Sequence, residues 1–70
     1  MGDWVDVASS NLVRCRYDDA NTVLEIEFKG GRIYQYFDVP QNTFEGLVQA
    51  PSKGKFFNEM IKNSFRYARV

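Results

Sequence analysis

Seventy residues, 44% apolar and 16% aromatic, make one small domain with material for a compact core but not for a deep substrate cavity as well. Nine basic and nine acidic side chains cancel to a formal charge of zero, which argues against strong indiscriminate binding to nucleic acid. There is no histidine and a single cysteine, Cys15, which excludes an internal disulfide, a zinc ligand set and His-based triads or dyads.

The cancellation hides an asymmetry. Residues 1 to 42 hold four Lys/Arg against seven Asp/Glu, and residues 43 to 70 hold five against two, so the second half is basic and suited to phosphate. No apolar run approaches the length of a membrane span, and MGDWVDVASS has neither the basic start nor the apolar segment of a secretory signal. A cytoplasmic chain with no membrane partner is expected.

Trp4 to Val7 is short and β-prone, and Ser9-Ser10-Asn11 offers turn chemistry. Leu12 to Tyr17 reads as a strand, and Asp18 to Asn21 as a loop leading into Thr22. The stretch from Thr22 to Val39 reads as a hairpin around Gly30-Gly31, whose tolerance of positive φ suits a tight turn. If those two glycines are the whole loop, Phe28 faces Ile33, Glu27 faces Tyr34 and Leu24 faces Phe37. Leu24, Ile26, Phe28, Ile33 and Phe37 then share a core face, and Glu25, Glu27, Tyr34 and Tyr36 the outer one. A four-residue loop before Thr22 pairs Cys15 with Leu24 and Val13 with Ile26, adding Val13, Cys15 and Tyr17 to the core. It also predicts an outer row of Arg14, Glu25 and Tyr36.

After Val39 the period changes. Pro40 suits a first helical turn, Asn42 with Glu45 resembles a capping box, and Phe44, Leu47 and Val48 recur at helical spacing, predicting a helix near residues 41 to 50. Gly46 weakens it by about 1 kcal/mol relative to alanine. Pro51 ends it, Ser52 caps a second helix, and the pairs Phe56/Met60 and Phe57/Ile61 form a stripe to lay on the sheet. Phe65 to Val70 is an apolar and basic tail, able to add a strand or cover an edge. The predicted fold is α+β: a three-stranded antiparallel β-meander near residues 12–18, 22–29 and 32–39, then two helices packed on one face, with short terminal extensions.

Three groups of residues carry candidate chemistry. Tyr34 and Tyr36 on an open sheet face have the spacing by which RNA-binding sheets stack unpaired bases, although alternating tyrosines are also ordinary sheet surface, the favoured account of the pair taken alone. Ser52, Lys53, Gly54 and Lys55 open a helix with two cations where the macrodipole prefers anions. Free N–H groups, a hydroxyl and two ammonium groups together describe a phosphate-holding site, the plainer alternative being two solvated lysines. Arg66 and Arg69 bracket Tyr67 in the tail, which suits phosphate contact plus stacking if the terminus is ordered. Cys15 is expected to be a small buried hydrophobe, and Glu25 and Glu27 lack the unequal surroundings of an acid-base pair. No enzyme is expected, and no metal or cofactor.

The ordered set Ser9-Ser10-Asn11, Tyr17-Asp18, LEIEF at 24–28, Tyr34-Gln35-Tyr36, Val39-Pro40, SKGKFFN at 52–58 and the closing RYARV resembles the KTSC domain, a family named for its occurrence at the C-terminus of some lysyl-tRNA synthetases. The resemblance covers nearly the whole chain as a single domain, residues 1–70, and implies a stand-alone bacterial or phage form without assigned activity. Through the synthetase connection it implies RNA as the partner. The family's YxY falls on Tyr34 and Tyr36 and its small-Lys-Gly-basic-aromatic segment on Ser52 to Phe57, with departures at Gly46 and Ala68. The resulting expectation is a monomeric, non-catalytic RNA-binding module, or, as the alternative, a protein-interaction module using a sheet edge or the aromatic face, with homodimerisation one form of it.

Overall fold

The computed structural model describes all of residues 1–70. Five antiparallel strands follow chain order across one sheet: β1 (Val5–Asp6), β2 (Leu12–Asp18), β3 (Val23–Phe28), β4 (Ile33–Tyr36) and β5 (Tyr67–Arg69). Between β4 and β5 come α1 (Gln41–Gln49) and α2 (Lys53–Phe56), the latter running on as a π-helical turn over Phe57–Ile61. The meander is therefore five-stranded rather than three-stranded. Both extra strands are edge pieces of two and three residues, too short to impose a period of their own, and they exist because β2 and β4 each had a free side to pair.

The hairpin registers decide which side chains meet. In the second hairpin the loop is Lys29-Gly30-Gly31: the Gly31 N–H donates to the Phe28 carbonyl (3.1 Å) and the Phe28 N–H to the Arg32 carbonyl (2.8 Å). Gly30 and Gly31 both hold positive φ, +94° and +88°, so the glycines do serve the turn, but Lys29 belongs to it as well. The pairing is Glu27 with Ile33, Ile26 with Tyr34 and Leu24 with Tyr36, one residue away from the two-residue-loop register. A slip of one exchanges the faces. Tyr34 and Tyr36 therefore stand on the helix-covered side with Leu24, Ile26 and Phe28, while Glu27 meets Ile33 on the other side.

The first hairpin also shifts, but by two, so its parity survives. Asp18 starts the turn as the last strand residue: its Oδ1 accepts from the Ala20 and Asn21 N–H groups (3.1 and 3.3 Å), its Oδ2 accepts from Asn21 Nδ2 (2.8 Å), and Thr22 takes φ +54°. The loop is still four residues, moved one position along, and pairs Tyr17 with Leu24 and Cys15 with Ile26. Across the outer face the rows become Arg14–Glu27–Ile33 and Arg16–Glu25–Gln35, replacing the row of Arg14, Glu25 and Tyr36. A bulge between Leu12 and Arg14 turns Leu12 into the core opposite Phe28 and leaves Val13 half-buried, the reverse of a regular strand.

The core lies between this sheet face and the helices. Leu12, Cys15, Leu24, Ile26, Val39, Leu47 and Ile61 are fully buried there, and the Tyr17 hydroxyl donates to the Val39 carbonyl (2.5 Å) while its ring stacks on Phe44 at 5.1 Å. Pro40 is the extended residue before α1, and its carbonyl accepts from the Thr43 and Phe44 N–H groups; Asn42 and Glu45, already inside the helix, form no capping box. Of the predicted stripe, Phe57 and Ile61 are buried, Phe56 is half-buried and Met60 faces solvent.

Gly46 is where α1 meets α2. A Cβ there would sit 2.7 Å from Cζ of Phe56, so the residue that weakens the helix lets the aromatic ring pack against it. Gly46→Leu is expected to cost about 1–3 kcal/mol by displacing Phe56, overriding the propensity gain. Urea denaturation tests this, and a stability equal to the parent chain would contradict it.

Candidate nucleic-acid interface

The sheet's two faces differ in chemistry. On the open face Arg14 pairs with Glu27 (2.6 Å) and Arg16 with Glu25 (2.7 Å), Gln35 Nε2 donates to Glu25 Oε2 (3.0 Å), and both guanidiniums lie over Trp4, 4.2 and 4.3 Å from the ring. Each of these four charges has a partner. Glu25 is buried yet doubly hydrogen-bonded, and the β1 segment holds Trp4 against the two arginines.

The helix side is different beyond the reach of α1. Because β5 pairs Tyr67 with Tyr36 and Arg69 with Tyr34, those four side chains share one face. The Tyr67 ring lies 5.7 Å from both Tyr34 and Tyr36, and edge-on contacts tie Phe28 to Tyr34 (5.6 Å) and Phe57 to Phe28 and Tyr36 (5.3 and 5.8 Å). These rings floor an open groove of about 310 Å³ whose remaining lining is Asn11, Arg32, Asn58, Lys62 and Asn63. It contains no carboxylate. Arg32 and Lys62 form no ion pair, and neither does Arg69, whereas Arg14, Arg16 and Arg66 all do.

Burial sets the depth of the floor. Tyr36 is 4% exposed, Tyr34 is half-buried and Tyr67 is 58% exposed, so ring surface is offered mainly by Tyr34 and Tyr67. Desolvation, helped by the neighbouring Tyr34 and Tyr67 phenols, pushes Tyr36 from its ordinary 10.0 up to about 12. The folded chain thus holds this proton more tightly than the unfolded one. The associated stability is complete below pH 10 and lost as pH rises from 10 to 12. Alkaline denaturation is expected in that window and shallower in Tyr36→Phe; superimposable pH profiles for the two chains would contradict it. Burial likewise pushes the Cys15 thiol up to about 11, leaving it protonated and inert at neutral pH.

Tyr34, Tyr36 and Arg69 are thus brought together, and the other candidate residues lie elsewhere. The start of α2 is engaged within the chain: Ser52 Oγ accepts from the Lys55 N–H (3.4 Å), the Gly54 N–H donates to Ser9 Oγ (3.2 Å), and Lys53 Nζ donates to the Ala50 carbonyl (2.9 Å). Ser52 and Lys55 border a second concavity that shares no residue with the tyrosine groove. Arg66 reaches Asp38 (2.9 Å) and lies 5.5 Å from the Phe37 ring. Arg32, Lys62 and the three asparagines belong to no motif. Their one sequence signal is an unpaired cation just after the Gly-Gly turn and another at the end of the apolar helical stripe.

A small α+β domain with an aromatic, cation-rimmed groove is the class that fold and site define. The KTSC domain model matches residues 8–65, and the chain belongs to that family. It is 36% identical to the crystallised KTSC domain protein of Yersinia pestis, with a TM-score of 0.90 over 97% of this chain and 96% of that one. An uncharacterised protein of Stutzerimonas stutzeri is 37% identical over 94% of both chains. The lysine–tRNA ligase of Nostoc sp. is 44% identical over 55 residues, which cover 79% of this chain and 10% of the ligase. No helix is long and apolar enough to cross a membrane.

Proposed function

We propose that this KTSC domain is a non-catalytic module that binds single-stranded RNA in the groove floored by Tyr34, Tyr36 and Tyr67. The observation that carries the reading is the composition of the lining: aromatic rings for base stacking, cations without counter-charges for phosphate, side-chain amides for hydrogen bonds, and no acid to repel the backbone. Kinship with a segment of lysine–tRNA ligases, whose substrate is an RNA, supports the same reading. Arg32, Lys62 and Arg69 take the phosphate role that the sequence suggested for Lys53 and Lys55, whose helix start is already hydrogen-bonded within the chain.

Salt dependence tests this directly. Three engaged cations give a log–log slope of about −2 for a single strand, and Lys62→Ala or Arg32→Ala should each flatten it by about 0.7. A slope untouched by either substitution would remove the groove from the model. The rival reading, a protein docked by strand addition, draws on the outer edge of β5, which no strand covers. Protection of the Tyr67 and Arg69 amides by self-association at high concentration would favour it.

A further inference from the structure

Stacking on tyrosine is indifferent to sequence, because every base has a π-face. Reading a base requires donors and acceptors at its edge. Three of the chain's five asparagines, Asn11, Asn58 and Asn63, line the tyrosine groove, two from the helical side and one from the turn just before β2. None of their side-chain amides hydrogen-bonds within the chain, whereas the Asn21 amide is spent on Asp18. Asn11 is also held in place, since its carbonyl accepts from the Lys29 N–H (3.0 Å). The groove's 310 Å³ lies at the lower end of the range for small-molecule sites, about 300–1,000 Å³, which suits one nucleotide and not several.

We infer that the groove recognises a single purine nucleotide, its base laid on Tyr34 and Tyr67 and its edge read by the amides of Asn58, Asn63 and Asn11. This rests on the RNA-binding reading above and sharpens it. A side-chain amide meets neighbouring donor and acceptor atoms at a base edge in bidentate fashion, and the two-ring face of a purine covers more of the Tyr34 and Tyr67 rings, 5.7 Å apart and tilted by 39°, than the single ring of a pyrimidine. Arg32 and Lys62 at the rim take the phosphate.

The test is fluorescence titration of the intact chain with five-nucleotide RNAs, one all uridine and two carrying a single central adenine or guanine. One purine should tighten binding about tenfold. Asn58→Ala or Asn63→Ala should erase that preference at an unchanged thermal midpoint, and Lys62→Ala should weaken all three strands alike. AMP or GMP displacing the strand, with CMP and UMP inactive, would support a free nucleotide as sufficient ligand; purine preference seen in strands alone would support RNA as its source. Equal affinity for all three strands, or a preference surviving each asparagine substitution, would overturn the inference and leave the binding module standing. No binding of any strand would overturn both.

Discussion

Phe57→Ala should remove a large part of the domain's stability. The ring is buried, packs edge-on against Phe28 and Tyr36, and joins the π-helical turn to the sheet just where the groove floor meets the core. Truncating a buried phenylalanine costs about 3–5 kcal/mol, because the transfer energy is lost and the space left behind closes incompletely. A domain of this size holds roughly 4–10 kcal/mol in total. The thermal midpoint should therefore fall by at least about 12 °C. Met60→Ala, three residues on and 52% exposed, should change stability by no more than about 0.5 kcal/mol. Calorimetry or urea denaturation of the two variants decides this, and a midpoint for Phe57→Ala within a few degrees of the parent would mean the helical turn is not fastened by this ring.

Tyr67→Ala should cost more binding than any other change that leaves the fold intact. The ring is exposed on an edge strand, so its removal disturbs little of the core, yet it is one of the two surfaces a base would lie on. Loss of one stacking partner is worth about 1–3 kcal/mol, or roughly five- to 150-fold in affinity. Tyr67→Phe should retain most of the affinity, because stacking needs the ring and not the hydroxyl. Unaltered affinity in Tyr67→Ala at an unaltered thermal midpoint would exclude the groove as a stacking platform.

Much of this architecture was legible from periodicity. The apolar spacing of Phe44, Leu47 and Val48, closed by Pro51, marked α1 to within one residue, and Ser52 does cap α2. Cys15, Tyr17, Leu24 and Ile26 fell on the core face because an error of two in the first hairpin preserves parity. Around Gly30-Gly31 an error of one did not. Two adjacent glycines fit a loop of two residues or the end of a loop of three, and alternation in the RIYQYF stretch is consistent with either register, since Ile33 and Phe37 are as apolar as Tyr34 and Tyr36. That ambiguity put the tyrosines on the wrong side of the sheet.

The groove was less legible still, because its parts come from four separate segments. Asn11 precedes β2, Arg32 follows the glycine turn, Asn58 to Asn63 close the helical region, and Tyr67 sits on a strand of three residues. Only pairing of β5 with β4 brings Tyr67 beside Tyr36 and Arg69 beside Tyr34. Gly46, a departure from the family's pattern in sequence, gains its reason from a contact ten residues away, with Phe56.

The most direct test of the binding account is a residue-resolved NMR titration with a short single-stranded RNA at low and near-physiological salt. The account predicts saturable shifts centred on Tyr34, Tyr36, Tyr67, Asn58 and Lys62, reduced but not abolished by salt. Shifts centred on Trp4, Arg14 and Arg16, or on Ser52 to Lys55, or salt-erased changes at lysines alone, would contradict it.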